Sequence, residues 1–451
     1  MPTITIGDAA GSYDFSALEL DFKEFLSQGF NSFEYHADKH GVQTATLYQK
    51  DGDFIEMVGS FNLSGFKNHD RLKAVEQIDS FSVGHGKLVS YSMSDLDLTK
   101  ADLKSDKTLA AFADAQAYKI IGNASENVLA GGLLGDQLYG NDGNDELYGG
   151  NGKDKLFGGD NNDILSGGNQ NDVLNGDAGN DTLDGGDGDD SLTGGTGKNV
   201  LTGGEGDDTY YIGASDKIVE EKGKDGGFDT VVAATNIDLS KFNNVEALTL
   251  TGKGNLNGTG NDLDNTLTGN DGDNKLNGGK GADRMIGGNG DDTYFVDNAK
   301  DVVVETGKND HDTIHATVSV NLSKLGGIDD VFLFGKADLN ATGNAGKNEL
   351  VGNDGDNNLW GAGGNDTLTG GAGSDTFHFV KGDKVDTITD FDASGKDHDV
   401  LDLSDYGKVK FAKLDIDKVG KDGIDIDFGH GDHVILEHVK IKDLDIHDFQ
   451  F

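Results

Sequence analysis

GNDGNDELY (140–148), GGNGKDKLF (149–157), GGDNNDILS (158–166), GGNQNDVLN (167–175), GDAGNDTLD (176–184) and GGDGDDSLT (185–193) follow one another with no residue inserted or lost. The nine-residue phase runs through ten units from Gly122 to Tyr211, four from Gly260 and four from Gly343. In all eighteen the sixth residue is Asp or Asn and the eighth is apolar: Leu in fourteen, otherwise Tyr210, Met285, Tyr294 or Phe377. A flexible glycine-rich linker has no reason to keep such a phase, so the period belongs to a folded repeat.

The residue types predict its shape. Glycines at the first, second and fourth places allow positive φ and sharp turning, which side chains obstruct. The last three residues, such as Glu146-Leu147-Tyr148, form a short strand whose middle side chain points inward. Two nonamers then close one coil of a flattened solenoid, and the position-8 residues stack into a thin core. The position-6 carboxylates meet glycine carbonyls at the turns, an all-oxygen set suited to Ca²⁺ rather than Zn²⁺. The candidate metal ligands are Asp136, Asp145, Asp154, Asp163, Asp172, Asp181, Asp190, Asp208, Asp283, Asp292, Asp366 and Asp375. Asn stands in that place at Asn265, Asn274, Asn348 and Asn357. An amide oxygen ligates calcium without neutralising it, so weaker sites are expected there.

Over residues 122–451 the chain resembles the RTX family of type I-secreted bacterial proteins, whose nonapeptide is GGxGxDxUx. The resemblance implies a mainly β fold: a parallel β-roll solenoid binding many Ca²⁺ ions, preceded here by an N-terminal α+β domain and closed by a C-terminal β cap. Val385 to Asp392 and Asp399 to Ser404 resemble the segment that caps the roll of serralysin-type members. The terminal Asp448-Phe-Gln-Phe451 resembles the family's export signal. By the same resemblance the type I secretion machinery is a partner, and the chain is secreted by a Gram-negative bacterium, to the medium or the cell surface.

Composition agrees. Only 9 of the 70 glycines lie in residues 1–120. That segment has 18 Asp+Glu against 11 Lys+Arg, net −7, so residues 121–451 carry −37 of the total −44. Carboxylates this dense repel one another unless cations intervene, which couples folding of the repeats to metal binding. Such a surface also repels phosphate, which excludes nucleic acid as a partner. The absence of Cys excludes disulfides and Cys-based zinc sites. The start, MPTITIGDAAGSYDF, lacks a basic segment followed by an apolar run, so export without a classical signal peptide is expected. No stretch approaches the roughly 20 apolar residues of a membrane helix.

The expected organisation is an α+β domain (1–118), a first repeat block (119–212), a β-rich solenoid spacer (213–259), a second block (260–296), a second spacer (297–342), a third block (343–380) and a cap carrying the secretion signal (381–451). In the first domain Ser16 and Glu19 fit a capping box for a helix ending near Gln28. Ala45–Tyr48, Phe54–Val58, Ile78–Val83 and Lys87–Ser92 read as strands, and a second helix is expected from Lys100 to Gln116. The spacers form an internal duplication: Gly206 to Ile212 recurs as Gly290 to Val296, and Ile237 to Lys241 as Val320 to Lys324. They are expected to continue the solenoid as wider, metal-free coils.

Enzyme signatures are missing. His36 and His40 have the i, i+4 spacing of a zinc helix without its glutamate, and no GxSxG elbow occurs. A head of about 118 residues is short for a catalytic domain. The head also resembles secreted haem-carrying hemophores. His36 or Tyr35 falls near their first ligand loop, but Gly65 stands where the second would supply tyrosine, with His69 close by. The reading is a non-enzymatic calcium-binding protein of the cell surface, biofilm or extracellular matrix, adhesive or surface-layer forming, whose partners are surface polysaccharide or further copies of itself. The alternative is a ligand carrier, with haem as the ligand.

Overall fold

The computed structural model describes residues 117 and 119–451 except 123, 125, 221–225, 308–309 and 408, together with six strands of the preceding segment. Those six are Thr3–Ile6, Ser32–Ala37, Gln43–Tyr48, Asp53–Val58, Gln77–His85 and Leu88–Thr99, so all four expected strands are present. The expected helices near Ser16–Gln28 and Lys100–Gln116 lie outside the described residues. From Ser32 to Thr99 the strands form an antiparallel meander. Thr3–Ile6 joins its edge antiparallel to Leu88–Thr99 and pairs in parallel with Lys119–Ile121, in register Thr3 to Lys119 and Ile4 to Ile120. The sheet of the head is thereby hydrogen-bonded to the first strand of the solenoid.

The chain divides into two compact units, Met1–Val231 and Val232–Phe451. In the first, strands alternate between two parallel sheets, each strand pairing with the one a whole coil later. Leu129, Leu147, Leu165, Leu183, Leu201 and Ile218 stand in register in one sheet, and Leu138, Leu156, Leu174, Leu192 and Tyr210 in the other. Every one of these except Ile218 is completely buried. Most strands in this block run six residues, as in Glu146–Asn151, beyond the three expected. The second glycine of the next unit stays in the ladder: Gly168 pairs with Gly150 and Gly186. Its φ is +112°, and an added Cβ would strike the Gly150 carbonyl, so at Gly168 only glycine fits.

In the second unit most repeat strands shorten to the expected three residues, for example Lys275–Asn277 and Thr367–Thr369. The spacer strands Asp312–Ala316 and Ile328–Leu333 lie within the same parallel ladder as the repeats around them, so this spacer continues the solenoid. Val385–Ile388 and Val400–Asp402 add the next rungs. The end is closed in two ways. An antiparallel arrangement of Asp415–Val419, Gly423–Gly429 and Asp432–Leu436 attaches through the last of these to Val385–Ile388. Phe449–Gln450 attaches to Val400–Asp402, burying Phe449. Such closure covers a strand edge that would otherwise invite edge-to-edge pairing.

Candidate metal centre

Between each turn and the strand that follows it, position 6 points inward. All twelve candidate aspartates are 1–2% exposed. They stand in files one coil apart, held by their own backbone: the N–H of each position-6 residue donates to Oδ1 of its counterpart on the next coil. One file runs Asn127, Asp145, Asp163, Asp181 and Asn199, with bonds of 2.7–2.9 Å. The other runs Asp136, Asp154, Asp172, Asp190 and Asp208, at 2.5–2.7 Å. In the second unit the bond recurs from Asn265 to Asp283, Asn274 to Asp292, Asn348 to Asp366 and Asn357 to Asp375.

The other carboxylate oxygen is left over. Among the described residues, Oδ2 of Asp145, Asp154, Asp163, Asp172, Asp181, Asp190, Asp208, Asp283, Asp292, Asp366 and Asp375 is buried without a hydrogen-bond partner. A buried polar atom without a partner is costly. Each Oδ2 faces the first glycine of its own unit, and in the interior of the first block the carbonyl of the next coil's first glycine faces the same point. A Cβ on Gly158, for instance, would collide with Asp163 Oδ2 and lie 2.9 Å from the Gly176 carbonyl oxygen. The glycine leaves open a cradle lined only by oxygen, the donor set of a hard divalent cation, so the residues present fit calcium. Desolvation on burial is the main cause that holds these carboxyls above their ordinary pKa. Asp154 and Asp163 are pushed up to about 7 and Asp190 to about 8, helped by neighbouring carboxylates and opposed by the backbone N–H bond. In a file of ionised carboxylates, a cation supplies the missing counter-charge. Asp136, at the start of its file, differs: its Oδ2 accepts the Gly132 N–H at 2.7 Å.

The four asparagine units also hold the coil by hydrogen bonds of their own. Oδ1 of Asn265, Asn274, Asn348 and Asn357 accepts the N–H of the second residue of its unit, an Asn in every case. Nδ2 donates to carbonyls of the preceding coil: Val245 and Glu246, Leu256, Ile328 and Asp329, and Leu339. The amide, which donates as well as accepts, clips the coil where a carboxylate would need an ion. Asp163→Ala is therefore expected to raise the calcium midpoint of folding, while Asn274→Ala lowers stability at saturating calcium by about 1–3 kcal/mol and moves the midpoint little. Calcium-titrated circular dichroism and thermal melts in excess calcium distinguish them; equal midpoint shifts would refute the distinction.

Sequence reading missed six further members of the files. Asp216, Asp229, Asp301, Asp312, Asp386 and Asp399 accept the N–H of Asn199, Asp208, Asp283, Asp292, Asp366 and Asp375 respectively. The spacer coils are thus not free of candidate ligands. These aspartates lie 17 to 24 residues beyond their partners; all but Asp301, which lies 18 residues beyond Asp283, fall out of the nine-residue phase, so a search at that period passes over them. A signal existed: Asp229-Thr-Val, Asp312-Thr-Ile and Asp386-Thr-Ile repeat the Asp-x-apolar triplet of positions 6 to 8. Burial pushes Asp312 and Asp386 up to about 8.

His430 is exposed and His433 pairs with Asp425 at 3.1 Å. Tyr35 and His36 fall in strand Ser32–Ala37, whereas His40, Gly65 and His69 lie outside the described residues. Among the described residues no helix is long and apolar enough to cross a membrane.

The family model for the RTX calcium-binding nonapeptide repeat (4 copies) matches residues 121–156, 130–165, 157–192, 184–216, 259–294 and 342–377. No curated protein matches the chain. Among solved structures the chain is similar to extracellular lipase LipA from Serratia marcescens, at 17% identity and a TM-score of 0.17, over 66% of this chain and 40% of that one.

Proposed function

Because the chain belongs to the proteins that carry RTX calcium-binding nonapeptide repeats, we propose that it is a secreted, non-enzymatic protein whose repeats fold on calcium outside the cell. The observation that carries this reading is the file of buried Oδ2 atoms without partners. Asp145, Asp154, Asp163, Asp172, Asp181 and Asp190 hold ions between coils, Asp283, Asp292, Asp366 and Asp375 do so in the later blocks, and first-position glycines add carbonyl oxygens. Asp136 and Asp208 serve at the two ends of their file. Calcium supplies the positive charge that lets these carboxylates stay ionised inside the solenoid. In the cytoplasm, where calcium is scarce, the acidic repeats stay expanded and compatible with a channel for unfolded chains. Outside they fold and stiffen, and the head is presented at the cell surface or in a matrix.

The test is fractionation of cells that also carry a matching type I transporter. The full chain is expected outside, retained on cells in calcium and released by EGTA. A chain lacking residues 392–451 is expected to remain inside, since it loses both the Phe449–Gln450 strand and the terminal motif. Unimpaired export of the shortened chain would overturn the C-terminal route, and retention indifferent to EGTA would overturn the surface role.

A further inference from the structure

Tyrosine occupies position 8 in only two of the eighteen units, at Tyr210 and Tyr294, each the last unit of a block. An apolar core has no use for a hydroxyl, and the structure shows what surrounds each one. In mid-block, the first glycine of a unit faces the first glycine of the next coil, whose carbonyl completes the oxygen cradle. At the block ends that glycine is gone. The register Thr202 to Val219 places Glu220 opposite Gly203, and Ile286 to Val304 places Glu305 opposite Gly287. A glutamate from the spacer thus takes the glycine's place, offering a carboxylate where the glycine offered a carbonyl.

We propose that each of these two block ends is a cation site of its own kind, formed by Asp208, Glu220, Asp229 and the Tyr210 hydroxyl in the first and by Asp292, Glu305, Asp312 and the Tyr294 hydroxyl in the second. Carboxylate oxygens of each trio lie within 4.8 Å of one another. The Tyr210 hydroxyl and Asp208 Oδ2 are buried without hydrogen-bond partners, as are Asp292 Oδ2 and Asp312 Oδ2, on residues no more than 1% exposed. These oxygens converge. A Cβ on Gly203 would collide with Asp208 Oδ2 and the Tyr210 hydroxyl and lie 2.6 Å from Glu220 Oε1; one on Gly287 would collide with the Tyr294 hydroxyl and Asp292 Oδ2. Tyr294 donates to Glu305 Oε2 at 2.5 Å, and Glu305 Oε1 accepts the N–H groups of Thr306 and Gly307 at 2.6 and 2.7 Å, which aims the carboxylate inward. Three carboxylates and a phenol, all oxygen, select calcium or a lanthanide of similar size. The third block lacks the device. Its position-8 residue is Phe377, and Asp390, opposite Gly370, uses its carboxylate on the Gly370 and Gly371 N–H groups at 2.9 and 2.8 Å.

The proposal rests on the calcium reading of the repeats, and the experiment separates the two. In full-length chain carrying Trp360→Phe, terbium is titrated and its emission excited through tyrosine, which requires the phenol beside the ion. Tyr210→Phe with Tyr294→Phe is expected to remove most of the sensitised emission, and Glu220→Gln with Glu305→Gln to bind two fewer calcium ions per chain by equilibrium dialysis. Asp390→Asn should change neither. Circular dichroism in calcium confirms that each variant folds, and the isosteric Gln pair decides if the Phe pair does not. Undiminished emission together with an unchanged ion count in folded variants would overturn the block-end sites and leave the repeat sites standing. A parent chain that binds no calcium would overturn both.

Discussion

Removal of calcium at neutral pH is expected to abolish the parallel β-structure of residues 119–451, leaving a far-UV spectrum dominated by disordered chain and a greatly enlarged hydrodynamic radius. The core leucines are fully buried, but they form a single line along each sheet, and between them lie carboxylates that must be desolvated. Eleven of the twelve candidate aspartates bury an oxygen that no protein group satisfies, and residues 121–451 carry a net charge of −37. Without cations both terms oppose the fold at every coil. Calcium addition should restore it cooperatively, since each Oδ1 is held by the coil before it, with a midpoint at extracellular levels of about 10⁻⁴ to 10⁻³ M. Trp360, the only tryptophan, is half-buried at the end of a third-block unit, and its indole N–H donates to Asp383 Oδ2 at 3.1 Å. Its emission should therefore follow the folding of that block. An identical spectrum with and without EGTA would sink the coupling of metal to fold.

The second large effect follows from the same burial and has the opposite sign to ordinary acid denaturation. In calcium-free protein the raised carboxyls favour the protonated form in the folded state: Asp145 and Asp172 at about 6, Asp154, Asp163 and Asp375 at about 7, and Asp190 at about 8, against 3.8 ordinarily. A group whose folded value lies above its unfolded value contributes stability that is complete below the unfolded value and is lost as pH rises through the folded one. Acidifying dialysed, calcium-free chain from about pH 8 to about pH 5 should therefore increase its β-structure, with protons standing in for cations. With calcium present the two compete, so the calcium midpoint should fall as pH rises and binding should release protons. Circular dichroism across this range, with calorimetry in two buffers of different ionisation enthalpy, measures both. A calcium-free signal that declines or stays flat on acidification would refute the argument.

How far the site could be read in advance depended on local spacing. Asp163 and its equivalents were legible because a turn, a ligand and a core residue recur within nine residues. Asp229, Asp312 and Asp386 were not, since loops of variable length carry them back to the file, and loop length leaves no periodic trace. Asn265 and its equivalents were legible as positions, but their hydrogen bonds were not. Only the coil geometry shows that the amide N–H₂ meets carbonyls of the preceding coil and the amide oxygen meets the neighbouring backbone. Tyr210 and Tyr294 stood out as departures from leucine, but their hydroxyls acquire meaning only beside Glu220 and Glu305, opposite Gly203 and Gly287.

By itself, then, the sequence determined the solenoid, its period, its thin leucine core and its dependence on a hard cation, because all four follow from residue type at fixed short spacing, where backbone freedom and side-chain chemistry act within one turn. The tertiary structure alone decided which oxygens are left without partners, which amides bond to the preceding coil, how the spacers re-enter the file and how Phe449 closes the last coil. Those depend on what the next coil presents, and that neighbour is 17 to 24 residues away along the chain, beyond the reach of any local rule.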